Sequence, residues 1–260
     1  MTPPVPVVTS SERYATALAE LPLRTRAADA AHGAIVVVDG GRDRWCDDAR
    51  AAAASGAIAI VVAQPNAVPA TGILALIEDV GEVPIVLERS FLRPDATADA
   101  VAARDSHGAR AVPRLLTGDC VATADELGVA TRDAIGWLRV LSQGGLSMRT
   151  GRAGVGLLEC RDADGAPSAL TAVIVKGVSR VRIAVLGEVL SEIEVSDRRT
   201  LVSTSTSAGR MLTSPRYESP QRLALRRALS ALSGAATVDD LAELAADAAL
   251  AETVSVPERA

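Results

Sequence analysis

Apolar positions in the first third of this chain come in short unbroken runs, each followed by a stretch with helical spacing. Val5 to Val8 is such a run, and Ser10, Ser11 and Glu12 then open a helix over Arg13 to Leu21. Ala34 to Val38 ends in Asp39-Gly40-Gly41 and precedes a helix from about Asp43 to Ser55. Ile58 to Val62 has no polar alternation and stops at Gln64-Pro65, as a strand buried on both faces does. Ile73, Leu74, Leu76 and Ile77 mark a helix within Pro69 to Val80, and Val83 to Leu87 is the next strand. Strands alternating with helices of this length predict a parallel, Rossmann-like sheet.

The rhythm changes after Pro94. A helix over Thr97 to Arg104, a strand from Arg110 to Val121 and a long helix from about Asp125 to Leu141 lead into four β-rich runs. These are Gly154 to Cys160, Leu170 to Val178, Arg180 to Leu190 and Glu192 to Thr206, the first two separated by the turn residues 162–165. Short connections imply antiparallel pairing. Residues 170–175 are mostly apolar on both faces, so one face is expected to meet helices and the other a partner. Ser219 to Leu232 and Val238 to Thr253 read as closing helices. The expected fold is therefore α/β, a truncated Rossmann-like sheet over 1–92 followed by an α+β domain over 93–260 with an open, mostly antiparallel sheet.

Composition narrows the function. At 48% hydrophobic the 260 residues can bury a substantial core, and no apolar run approaches the roughly 20 residues that cross a bilayer. MTPPVPVV lacks a basic region followed by an apolar core, so a cytoplasmic location is expected. A net charge of −5 with interspersed signs, and only 2% aromatic residues, argue against a nucleic-acid partner. Cys46, Cys120 and Cys160 are far apart and fit reduced core thiols better than a metal site, and His32 and His107 have no ligand at metal spacing. Asp39-Gly40-Gly41 reads as an ordinary turn, Gly151 to Gly156 as a turn entering a strand, and Ser203 to Ser207 as a polar strand end.

The stretch DARAAAASGAIAIVVAQP resembles the part of the Gfo/Idh/MocA family of sugar and inositol dehydrogenases in which a strand ends in Glu-Lys-Pro. NAVPATGILALIEDVGEVPIVLERSFLRPD, RLLTGDCV and RDAIGWLRVL are similar to later family segments in the same order. The resemblance implies a dehydrogenase fold, and it also implies departures. The family's catalytic lysine is replaced by Gln64, and the only lysine of the chain is Lys176. The reading begins at the family's second strand, with no G-x-G-x-x-G near the start and Thr9 and Ser10 where the ribose-binding acid stands. Asp133 falls where the family has its histidine and Gly136 where it has its aspartate. Asp133 is either the replacement catalytic group or an exposed Asp early in a helix, complementing its dipole.

The expectation from these residues is a noncatalytic oxidoreductase-like protein without nicotinamide cofactor, acting as a subunit or ligand-binding partner through its C-terminal sheet, as a homo- or hetero-oligomer. Gln64, Arg89, Arg93 and Arg132 are the candidates for holding a sugar or polyol. The competing expectations are an active sugar or polyol oxidoreductase or lyase built around Asp133, with NAD(P) as cofactor in the first case, and a small-molecule sensor.

Overall fold

A computed structural model describes residues 3–108, 112–142, 146–152, 157–161, 166–196 and 199–254. The chain divides into two compact units, Met1–Arg89 with Tyr217–Ala246, and Ser90–Arg216 with Asp247–Ala260. The expected boundary after residue 92 thus falls at 89, and the chain returns to the first unit near its end.

In the first unit, strands β1 (Val5–Val8), β2 (Thr25–Ala27), β3 (Ile35–Asp39), β4 (Ala59–Ala63) and β5 (Ile85–Glu88) form one sheet of order β2-β1-β3-β4-β5. Every pair is parallel, with Val5 opposite Thr25, Val7 opposite Ile35, Ile35 opposite Ala59 and Ile60 opposite Ile85. Helix α1 (Glu12–Ala19) and helix α6 (Pro220–Leu232) cover one face, where Tyr14, Ala17, Leu18, Leu225 and Leu229 meet Val7, Ile35, Ala59 and Val61. Ile60 and Val62 are equally buried and point the other way, toward α2 (Trp45–Ala54) and α3 (Ala70–Val80). Burial on both faces explains why β4 is an unbroken apolar run. The short strand β2 is absent from the sequence reading.

The second unit holds α4 (Pro94–Asp105), β6 (Leu115–Ala122), α5 (Leu127–Leu141) and seven further strands. These are β7 (Ser147–Arg152), β8 (Leu157–Arg161), β9 (Pro167–Ile174), β10 (Arg180–Leu186), β11 (Leu190–Ser196), β12 (Arg199–Thr206) and β13 (Gly209–Leu212). Their order is β13-β12-β11-β10-β6-β9-β8-β7, antiparallel throughout except for the parallel pair β6 and β9. The long runs at 180–190 and 192–206 are thus three strands, and β7 and β13 are additional edges. Residues 162–165, most of the Gly151 to Gly156 stretch and the chain after Val254 lie outside the described residues. Trp137, Leu138 and Ile135 of α5 pack on Leu116, Leu170, Val181 and Ile183, which covers one face of this sheet. The opposite face carries Thr117, Asp119, Arg182, Glu192 and Glu194 in a shallow groove.

Helix α7 (Asp240–Glu252) closes the described chain. Among the described residues, no helix is long and apolar enough to cross a membrane.

Candidate functional site

Order β2-β1-β3-β4-β5 has a topological switch point, because the chain leaves β1 for β2 on one side and then crosses to β3 on the other. Open α/β sheets hold ligands in the crevice outside the carboxyl ends of the strands that flank such a point. Here those ends are Thr9-Ser10-Ser11 after β1 and Asp39-Gly40-Gly41 after β3.

The β1 exit turn is tied locally, the Ser11 N–H donating to Thr9 Oγ1 at 3.1 Å. Ser11 is the N-cap of α1 but its side chain caps nothing, and Ser10 is exposed. The first-turn N–H groups of α1 therefore lack the side-chain acceptor that Ser at this position usually supplies.

The β3 and β4 exits are locked to each other. Gly40 N donates to Ala63 O at 2.8 Å, Asn66 N to Gly40 O at 2.8 Å, and Asn66 Nδ2 to Gly41 O at 2.7 Å. A side chain on Gly40 would run into the Ala63 carbonyl and come 2.7 Å from the Pro65 Cα, so this turn requires glycine for its close approach. Asp39 caps the turn, accepting from Gly41 N at 3.1 Å and from Arg42 Nε at 3.2 Å. Gln64 has φ 51°, the single positive φ outside glycine among the described residues, and its side chain is exposed while its N–H donates to Glu88 O at 2.9 Å. Left-handed backbone in a non-glycine residue costs about 1 kcal/mol or more and is held here by the surrounding turn bonds.

A buried network lies at the end of β5. Glu88 accepts from the Tyr14 hydroxyl and, at 2.7 Å, from Gln221 Nε2, joining β5 to α1 and α6. Burial, and then the adjacent Glu88 carboxylate, push the Tyr14 phenol far above its ordinary range. Arg89, next in the chain, is also buried.

The remaining candidates belong to the second unit. Arg93 makes a two-point pair with Asp95, at 2.6 and 2.9 Å. Asp133 is the seventh residue of α5 and is 0% exposed, so it is neither early in its helix nor on the surface, as the dipole reading had it. Its Oδ1 accepts from Arg132 Nε at 3.2 Å and Nη2 at 3.1 Å, and its Oδ2 accepts from Phe91 N at 3.0 Å. Trp137 Nε1 donates to Phe91 O at 2.7 Å. Arg132 is 1% exposed, so the pair is an interior one.

No protein-family model matches this chain, and no curated protein is similar to it in sequence. Solved structures do match. UDP-N-acetylglucosamine 3-dehydrogenase GnnA from Acidithiobacillus ferrooxidans is 14% identical, with TM-score 0.70, over 97% of both chains. KijD10, a 3-ketoreductase from Actinomadura kijaniata solved with NADP, is 12% identical, with TM-score 0.68, over 96% of both chains. Aldose-aldose oxidoreductase from Caulobacter crescentus, complexed with glycerol, is 12% identical, with TM-score 0.65, over 96% of this chain and 88% of that one. These neighbours are Gfo/Idh/MocA-type oxidoreductases. This chain has their fold.

That finding corrects the expectation of no cofactor. Structures of this fold hold NADP in KijD10, which points to a nicotinamide cofactor and not to none. Sequence reasoning passed over the close approach that Gly40 makes to the Ala63 carbonyl, and the Tyr14, Glu88 and Gln221 network. A carboxylate closing an apolar run, as Glu88 closes Ile85 to Leu87, was the signal available for the second.

Proposed function

We propose that this protein binds a nicotinamide dinucleotide in the crevice at the carboxyl ends of β1 and β3 and uses it as a ligand-binding, noncatalytic relative of sugar oxidoreductases. The observation that carries the reading is the switch point between β1 and β3. The donor set fits such a cofactor. The uncapped first turn of α1 with Ser10 and Ser11 suits a phosphate, and the Asp39 carboxylate beside Gly40 and Gly41 suits a ribose hydroxyl. The bound cofactor would supply hydride chemistry, and the residues named would hold it.

The proton side of that chemistry is what these residues do not supply. Oxidation of a carbinol needs a base for the hydroxyl proton, worth about 10²–10⁴ in rate. Gln64 presents an amide, which does not accept a proton at neutral pH. Both oxygens of Asp133 are engaged in the interior of α5.

Calorimetric titration with NADP(H) and NAD(H), followed by nicotinamide absorbance in the presence of aldoses and polyols, tests both halves. Binding without turnover is the expected result. Turnover abolished by Asp133→Asn would restore the enzyme built around that residue, and no binding of either dinucleotide would remove the cofactor reading.

The partner in this proposal meets the open face of the second sheet. Asp119, Arg182 and Glu194 lie in one cross-strand row, and Val173 and Leu212 are exposed beside them, 52% and 64%. A surface of alternating charge with apolar flanks is self-complementary, which suits a second copy of the chain. Sedimentation of the wild type against an Arg182→Glu variant tests it. A wild-type dimer that becomes a monomer in the variant is expected, and a wild-type monomer overturns it.

A further inference from the structure

A cavity of about 560 Å³ opens in the first unit between Ile77 and Val80 of α3, Leu232 of α6, and Val238 and Leu241 around the start of α7. Helices α3 and α6 lie on opposite faces of the sheet, so a cavity that touches both lies beyond β5, the last strand of the order. It sits at the amino end of β5, where Ile85 stands, whereas the cofactor crevice is at the carboxyl ends of β1 and β3.

Ile85 lines the cavity and is 4% exposed. Ile60 N donates to Pro84 O at 2.9 Å, and in a parallel ladder it is alternate residues that face the neighbouring strand. Ile85 therefore turns its N–H and C=O away from β4, toward the open side. Among the described residues neither group has a hydrogen-bond partner. A buried backbone pair left in this state is rare, and a water held there needs two or more polar partners, which the apolar walls do not offer. Leu87, the next residue facing outward, is already satisfied by Asp240, so the free edge is one residue long. It is too short for a whole added strand and matches a single residue of an extended segment, whose own C=O and N–H meet those of Ile85.

The charge around the cavity selects further. Glu82 and Asp239 line it, both are exposed, and neither is in an ion pair among the described residues. No basic side chain lines it. Two unpaired carboxylates beside an apolar hollow complement positive charge next to an apolar group.

We propose that this cavity binds a short extended peptide segment in which an apolar residue has basic neighbours, the apolar residue pairing with Ile85 and filling the hollow. The site is independent of the cofactor reading above.

The test is titration of the full chain, followed by backbone amide resonances, with acetyl-Arg-Leu-Arg-amide, acetyl-Arg-Gly-Arg-amide and acetyl-Glu-Leu-Glu-amide. An Ala242→Trp variant sets bulk against the cavity from an exposed position on α7, and a melting temperature equal to that of wild type would confirm that it is folded. The expected result is a saturable shift of the Ile85, Val238 and Leu241 amides with the Arg-Leu-Arg peptide, and slower hydrogen exchange at Ile85. The glycine peptide is expected to bind at least about tenfold more weakly, since a leucine side chain leaving water is worth about that factor or more. The acidic peptide is expected to bind more weakly than the basic one, and Ala242→Trp to abolish the shifts. Equal binding of the glycine peptide overturns the apolar hollow as the recognition element, and equal binding of the acidic peptide overturns the charge selection. No shift with any peptide up to about 10 mM overturns the site, because affinity below that level is too weak to recognise a segment.

Discussion

The Asp240 carboxylate accepts the Leu87 N–H at 2.7 Å and so caps a backbone donor on the outer edge of β5. The same carboxylate is gripped at two points by Arg227 of α6, at 2.6 and 2.8 Å. An edge strand with unpaired N–H groups invites pairing with another chain, and here a side chain from the start of α7 closes it. Replacing Asp240 by Ala leaves the Leu87 donor and the Arg227 guanidinium without this acceptor. We expect a loss of about 1–3 kcal/mol, read by urea denaturation, with a smaller loss for Arg227→Ala. Equal stability of Asp240→Ala and wild type would show that water replaces the carboxylate at no cost.

Asp133 makes the sharper prediction, because its two possible roles separate by stability. As the buried partner of Arg132 and Phe91, its removal in Asp133→Ala takes one acceptor from a buried guanidinium and from a buried N–H, and breaking a buried pair in this way typically costs about 3–5 kcal/mol. Asp133→Asn keeps an oxygen for the Phe91 N–H and is expected to cost clearly less. Denaturation midpoints of the two variants decide it. A stable Asp133→Ala protein would free this carboxylate for chemistry.

Much of the first unit was legible because a parallel strand buried on both faces has no polar positions, and β3, β4 and β5 all stand out as apolar runs. The strand β2 did not stand out. It is three residues long, with Thr25 buried and Arg26 and Ala27 exposed, too short to show any period. Strand order is a different kind of failure. Nothing local in Val5 to Val8 says that β1 will pair with β3, so the switch point, with Thr9 and Asp39 at the ends of its two flanking strands, appears only when the sheet is assembled. The return of α6 to the first sheet was hidden for the same reason. Ser219 accepts from Arg222 N and announces the helix start, while the choice of which sheet Leu225 covers depends on the whole fold. Asp133 shows the limit for single residues: its place on the long helix was readable, its burial was not.

The alkaline limb of stability should report on Tyr14. Its phenol is neutral in the ordinary range and its folded pKa is raised, first by burial and then by Glu88. A raised pKa contributes stability that is complete below the unfolded value, near 10, and is lost as pH climbs beyond it, because the unfolded chain releases the proton first. Wild type is therefore expected to lose up to about 1.4 kcal/mol per pH unit above pH 10 more steeply than Tyr14→Phe. The thiols add to the wild-type and variant curves alike. Burial pushes Cys46 up to about 11 and Cys120 up to about 12, so their contribution begins to fall near pH 9. Urea denaturation at half-unit intervals from pH 8 to 11 measures the difference between the two curves, and parallel curves would mean that Tyr14 ionises as readily folded as unfolded.

The Gly40 turn links the fold to the site, and two glycine substitutions separate its effect from that of glycine as such. Gly72 lies in α3 with nothing within 4 Å of where a Cβ would stand, so Gly72→Ala is expected to stabilise by about 0.5 kcal/mol through helix propensity. Gly40→Ala adds the same methyl group against the Ala63 carbonyl and 2.7 Å from the Pro65 Cα. Backbone atoms on both sides cannot step aside as a flexible side chain would, so the exits of β3 and β4 must part. Overpacking of this kind costs about 1–3 kcal/mol. It also displaces Asp39 and Gly41 from the carboxyl end of β3, and NADP affinity is expected to fall at least about tenfold in Gly40→Ala while Gly72→Ala binds as wild type does. Calorimetric titration of the two variants with NADP reads this directly. Full affinity in a destabilised Gly40→Ala protein would place the cofactor away from the β3 exit.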